Sequence, residues 1–240
     1  MKKLLVIVLL TVVGFFIANT FFDIGFGDSH FVKNAQIKPV KDTYLQQTVQ
    51  ELKVSNAVTS IVVNFRGFDT LGEVTVLFLS VTALGSILYK KRHHTGERSV
   101  LFSASSIVTA GSKLLFPAIV VLGAYVFIHG HLSPGGGFQG GVIIATGFLL
   151  MLLAYENYSV SHTALSIVES LAGITFAGVG LLGFINGGTF LENFLPTGTL
   201  NNLFSGGIIP IIYIAVGFKV AAELTGVIYT VLNEKGDNNG

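Results

Sequence analysis

The chain contains no cysteine. That excludes a disulfide framework, a thiolate metal site and iron–sulfur ligation by this chain. Charge is nearly as scarce: 11% of the 240 residues are charged, where a soluble domain carries about 25%. A net charge of +1 offers no basic surface for nucleic acid. No internal repeat and no low-complexity tract is visible. What is present in quantity is apolar. The chain is 51% hydrophobic, with a mean hydropathy of +0.71. This composition identifies an integral membrane protein.

Six apolar segments approach or exceed the length needed to cross a bilayer: Leu4–Phe22, Thr70–Tyr89, Ser106–Ile128, Phe138–Tyr155, Thr163–Ile185 and Gly206–Leu232. The expected fold is therefore all-α and polytopic, with six transmembrane helices arranged two plus four. Lys2 and Lys3 precede an apolar run, as in a signal peptide, but the run is long enough to span and no small-residue cleavage site follows. A retained anchor is expected. Pro210 falls early in the last segment, where proline is tolerated.

Basic residues orient the spans. Lys2, Lys3, Lys90, Lys91, Arg92, Arg98 and Lys235 fall on one side if the spans alternate, and the short opposite loops 129–137 and 186–205 carry no Lys or Arg. Both termini are expected in the cytoplasm. The outer segment 23–67, with Lys33, Lys38, Lys41, Lys53 and Arg66, runs against that rule. Within it, Leu45, Val49 and Leu52 recur at helical spacing among Gln46, Gln47, Gln50 and Glu51, which predicts a short amphipathic helix on the membrane surface, on a partner, or on the protein's own spans. The polar stretch 91–104 divides the chain into a two-span unit, 1–90, and a four-span unit, 105–240.

Four ionisable residues fall inside predicted spans: Lys113, Glu169, Lys219 and Glu223. Intramembrane charge costs several kcal/mol, about 2.5–3.5 on insertion scales, so such residues point to function. All four lie within a few turns of the cytoplasmic ends of their spans, and Lys219 and Glu223 stand four residues apart on one face. Two readings are open: a charge-compensated network joining helices, or part of a polar pathway for protons or cations. Near the outer face, Asp69 and Glu73 share a helix face beside Arg66. Two such carboxylates can coordinate transient sodium or share a proton. The alternative is capping, since Thr70 and Glu73 have capping-box spacing and Asp69 suits an N-cap.

The six histidines, His30, His93, His94, His129, His131 and His162, all lie at span ends or in loops. They offer no facing pair for bis-histidine haem. His129 and His131 have the intrinsic pKa to titrate at the outer mouth, or else are interfacial loop residues. They open the segment HGHLSPGGGFQGG, His129–Gly141. It lacks the Lys-Ser/Thr ending of a phosphate loop. The spacings Gly136/Gly140 and Gly137/Gly141 instead predict close helix packing, as do Gly173/Ala177 and Gly217/Ala221. No nucleophile–histidine–acid or zinc constellation is present, so a transport role rather than catalysis is expected, with no cofactor and no tightly bound metal.

The segment GSKLLFP, Gly111–Pro117, followed by His129–Gly141, resembles the B subunit of Mrp-type sodium/proton antiporters, the MnhB family, over roughly residues 100–235. The stretch NAVTSIVVNFRGFDTLGE, Asn56–Glu73, is similar to the carboxy-terminal end of the large Mrp A subunit and to the small MbhE protein of archaeal membrane-bound hydrogenases. The resemblance implies a fusion of two adjacent subunits in the cytoplasmic membrane of a prokaryote. It implies A-, C-, D-, E-, F- and G-like antiporter subunits as partners, or hydrogenase-like subunits, together with lipid, Na+ and H+. In that family the large subunits related to complex I carry the main proton path, and the small ones form or border the sodium path. The resemblance places Asp69 and Glu73 at acidic positions implicated in cation transfer. Lys113 and the string His129, His131, Pro134, Gly135, Gly136, Gly137, Phe138, Gln139, Gly140 and Gly141 match the B pattern. Three roles follow: part of an antiporter's ion path, the membrane arm of a respiratory complex, or a non-conducting scaffold.

Overall fold

The computed structural model of the protein describes residues 11–12, 14–16, 18–19, 40–89, 104–155 and 158–234. It divides into two compact units, Met1–Thr43 and Tyr44–Gly240. In the first, the described residues between 11 and 19 are helical. The predicted span Leu4–Phe22 otherwise lies outside the described residues, as do residues 91–103 and the charges Lys2, Lys3, Lys33, Lys38, Lys90, Lys91, Arg92, Arg98 and Lys235, along with His30, His93 and His94.

Among the described residues all the regular secondary structure is helical. Helix α1 (Val40–Gln50) is followed by a single turn, α2 (Ala57–Ser60), which continues into a π-helical turn at Ile61–Phe65. The long helices are α3 (Gly67–Tyr89), α4 (Ser106–Ile128), α5 (Gly137–Ala154), α6 (His162–Gly187) and α7 (Ile209–Glu234). All five are long and apolar enough to cross a membrane, and their bounds fall within about three residues of the hydropathy segments. Pro210 is the second residue of α7, where its missing N–H removes no helical bond.

Helix α7 is the hub, packed on α3, α4, α5 and α6. One core cluster joins it to α3, to the π turn and to Leu52, Val54 and Leu191; a second joins it to α4 and α5 through Phe127, Ile144 and Ala221. The glycines set the spacing. A Cβ on Gly137 or Gly141 would lie 2.7 Å from the Tyr213 or Gly217 carbonyl of α7, and one on Gly140 would lie 2.6 Å from the Gly123 carbonyl of α4. The predicted pair Gly137/Gly141 therefore faces α7 throughout, whereas the pair Gly136/Gly140 is split: Gly140 faces α4, and Gly136, before the helix starts, meets Gln139 and Tyr213. Gly217 closes on Phe127, and Ala221 is buried, also as predicted. The Gly173/Ala177 face meets no helix of this chain among the described residues: nothing lies within 4 Å of a Cβ at Gly173, and Ala177 is exposed. Helix α6 makes its close approach one to two turns later, at Gly180 and Gly183, against Phe190–Glu192.

The amphipathic stripe also needs correction. Leu45 and Val49 are exposed, whereas Thr48 and Leu52 are buried. The Thr48 hydroxyl bonds that of Ser60, and the Tyr44 ring stacks on Phe65 with centroids 4.8 Å apart. A buried hydroxyl pair and a ring stack fix the face that docks, and hydrophobicity alone does not report either one.

Candidate functional site

The predicted intramembrane charges separate into two places. Lys219 Nζ donates to Glu223 Oε1 at 2.7 Å and lies 3.9 Å from Glu169 Oε1. The (i, i+4) spacing on α7 makes the first contact, and the packing of α6 on α7 makes the second. Phe78 of α3 places its ring 5.2 Å from Nζ, a cation–π contact. The Glu223 side chain is completely buried, and among the described residues its Oε2 has no partner in a well-formed hydrogen bond. Glu169 keeps 28% of its side chain exposed.

These carboxylates line a cleft of about 230 Å³ between α3, α6 and α7. Val81, Leu84 and Leu165 form its apolar walls, while Ser166, His162 and Thr230 carry it toward the end of the bundle where α6 begins and α7 ends. The cleft is large enough for several waters. His162, whose ring meets that of Tyr229 edge-on, sits at this end. The sequence marks His162 only as a residue at a span end, because its role depends on which helix packs beside it.

Lys113 does not join the set. It is exposed on α4, and α4 packs on α5 and α7. The four-charge network expected from depth alone is thus a triad of one lysine and two glutamates. Depth along a span gives no rotation about its axis.

At the other end, Asp69 pairs with Arg66 at 2.7 Å, both side chains being substantially exposed, and Glu73 is exposed on the same helix. The capping alternative is overturned. Helix α3 begins at Gly67, so Thr70 is inside it and buried, with its hydroxyl donated back to the Val62 carbonyl at 2.6 Å. The preceding π turn moves the helix start upstream of the capping-box residues. Asp69 still complements the helix dipole from the first turn. Among the described residues no group of three or more histidines or acids is arranged to hold a metal ion.

The glycine-rich turn is fastened at that same end. The Asn56 amide donates to the Gly130 and Ser133 carbonyls at 2.9 and 3.0 Å, while its carbonyl oxygen caps α2 through the Val58 N–H. The Ser55 and Asn56 N–H groups both donate to the His131 carbonyl. Thr59 donates to the Gly130 carbonyl at 2.7 Å and accepts from the Tyr213 hydroxyl at 3.0 Å. Gly130 lies against the Tyr213 ring, leaving no room for a side chain. His129 stacks on Tyr125 with centroids 4.3 Å apart. His131 is not exposed: it is fully buried in the loop between α4 and α5, with neither ring nitrogen in a well-formed hydrogen bond among the described residues. Burial lowers its pKa, against an opposing push from main-chain groups of Asn202 and Leu203, and nearby His129 lowers it further.

Comparison with known proteins agrees with this architecture. The sequence pattern described as a domain related to the MnhB subunit of Na+/H+ antiporter matches residues 107–226, and the MbhE pattern, that of the E subunit of MBH, matches residues 7–104. A protein of uncharacterised function from Methanocaldococcus jannaschii is 30% identical over 91% of this chain and 92% of its own length. The solved archaeal membrane-bound sulfane sulfur reductase, a respiratory membrane complex, contains a chain 42% identical, covering 96% of this chain and 98% of that one, with a TM-score of 0.74. The Mrp complex of Dietzia sp. DQ12-45-1b contains a chain of like fold, at 23% identity and a TM-score of 0.66, covering 85% of this chain and 24% of that one.

Proposed function

The chain belongs to the family related to the MnhB subunit of Na+/H+ antiporters, and from that premise we propose that it is a membrane subunit of a multi-subunit Mrp-type cation/proton antiporter. Its role is transport rather than catalysis, in a prokaryotic cell membrane, alongside the other antiporter subunits. The Glu169–Lys219–Glu223 triad forms a proton- or cation-binding station reached from the cytoplasm through the cleft.

Glu223 carries this reading. One of its oxygens is held by Lys219; the other is buried with no well-formed hydrogen bond among the described residues, in a residue that lines the cleft. One ammonium compensates one of the two carboxylates. The second is balanced by a proton or a cation taken up from the cleft, because an unpaired charge at this depth costs several kcal/mol. A purely structural pair needs neither the second carboxylate nor the cleft.

The absence of native cysteine from this chain gives a test. Ser166→Cys puts the chain's single thiol on the cleft wall, with the wild-type complex under the same reagent as the control for thiols of other subunits. A charged, membrane-impermeant thiol reagent applied from the cytoplasmic side is expected to label it and block sodium-driven proton movement. Labelling without inhibition would take the cleft off the ion path.

The outer pair borders the cation route in this reading. Asp69 and Glu73 are exposed, so a partner subunit supplies the facing wall. Glu73→Gln is expected to abolish sodium-dependent transport in a complex that still assembles; normal antiport would remove Glu73 from the route.

One observation favours a second reading: the likeness at 42% identity to a chain of a respiratory complex, over nearly its whole length. In that reading the triad of this chain serves a complex driven by electron transfer. Iron–sulfur subunits co-purifying with the tagged chain would support that reading; antiporter subunits alone would support the first.

A further inference from the structure

We propose that the open face of α4 around Lys113 is an intramembrane docking surface for a transmembrane helix of another subunit that presents a carboxylate. This inference rests on the multi-subunit reading above and adds the place and chemistry of one contact.

Lys113 lies seven residues beyond the first residue of α4, about 10 Å along the helix axis. Among the described residues it forms no salt bridge. The intramembrane carboxylates Glu169 and Glu223 both lie against Lys219, on α6 and α7, and neither pairs with Lys113. About a quarter-turn round the helix from Lys113 runs an open apolar stripe, with Ile107 82%, Leu114 77% and Val121 68% exposed. An ammonium in such a setting requires an anion.

A second feature falls at the same residue. Pro117 lies inside α4, four positions on. It has no N–H to give, so the Lys113 carbonyl lacks its usual helical donor. One residue therefore presents both a donor on a flexible stem and a backbone acceptor fixed in place. Anionic lipid satisfies only the first. The ammonium can snorkel toward a headgroup phosphate, but the carbonyl is fixed in the helix about 10 Å from its end and cannot follow to reach headgroup donors. A neighbouring helix can bring a carboxylate to the ammonium and a hydroxyl or amide to the carbonyl. The surface also admits close approach, because the neighbour one turn before Lys113 on its own face is the small, exposed Ala110.

The test purifies the whole complex through a tag on this chain, with Lys113→Met and Lys113→Glu compared at equal levels of the chain in the membrane. Lys113→Glu is expected to lower recovery of one partner subunit by about tenfold or more, the scale set by an uncompensated intramembrane charge. Lys113→Met is expected to lower it less. In wild-type membranes a hydrophobic carbodiimide is expected to link Lys113 to an Asp or Glu of that subunit, and changing that acid to lysine is expected to restore assembly of the Lys113→Glu chain. Full assembly of both variants with no such crosslink would overturn the proposal. So would a Lys113→Met complex that keeps every subunit but loses a bound anionic phospholipid, which would assign the site to lipid. A wild-type chain that co-purifies with no other membrane subunit would instead overturn the multi-subunit reading itself.

Discussion

His131 shows how far a residue's surroundings decide its behaviour. Its sequence neighbours are glycines and a loop, and from them an exposed, titrating imidazole is a natural expectation. The structure buries it completely and leaves its ring nitrogens poorly served. Burial lowers its pKa from the ordinary value of 6.5. Below that value the unfolded chain binds a proton that the folded chain resists, so stability falls as pH drops from 6.5 toward the folded pKa. Thermal unfolding of the purified complex between about pH 7.5 and pH 5.5 is expected to show this loss, and His131→Asn is expected to flatten the slope. An unchanged slope would assign the pH dependence elsewhere, with His129 the neighbouring titratable group. At this scale the pairing of Lys219 with Glu223 is legible in the sequence, because four residues on a helix is a fixed geometry. Glu169 is legible by depth. The roles of His162, Tyr213 and Asn56 are not, since each depends on a segment distant in sequence.

Apolar length and glycine spacing predict the long helices and most of their tight contacts. The boundaries of α3 to α7 follow hydropathy because a membrane helix must bury its backbone polar groups over a set thickness. The π turn at Ile61–Phe65 has no such signature, and missing it misplaces the start of α3 and creates a false capping box. The rotation of α4 is similarly invisible, so depth alone groups Lys113 with the inner charges. The glycine contacts make an element-scale prediction. Gly140→Leu puts a side chain where a Cβ would already lie 2.6 Å from the Gly123 carbonyl and 3.0 Å from Phe127. Helices α4 and α5 must then separate, at a cost of about 1–3 kcal/mol or more. Thermal unfolding is expected to shift downward and recovery of the folded chain to fall. A variant as stable as wild type would show that this contact is not tight.

Taken as one molecule, the unit from Tyr44 onward joins the two segments that the two family patterns match. Residues 55–59 of the first hold the carbonyls of Gly130, His131 and Ser133 in the second, and Phe78 of the first lies beside Lys219 of the second. The glycine-rich string thus fastens one end of the bundle, while the charged triad and its cleft lie toward the other. The central claim is that this second region carries ions. The measurement that addresses it most directly is sodium-driven proton movement in inverted vesicles from an antiporter-deficient host expressing the whole complex, comparing wild type with Glu223→Gln at matched assembly. Glutamine keeps the shape and removes the titrating carboxylate. The expected result is an assembled complex whose sodium-driven proton signal is lost. An assembled Glu223→Gln complex with wild-type antiport would contradict the claim and leave the triad as a structural tie between α6 and α7.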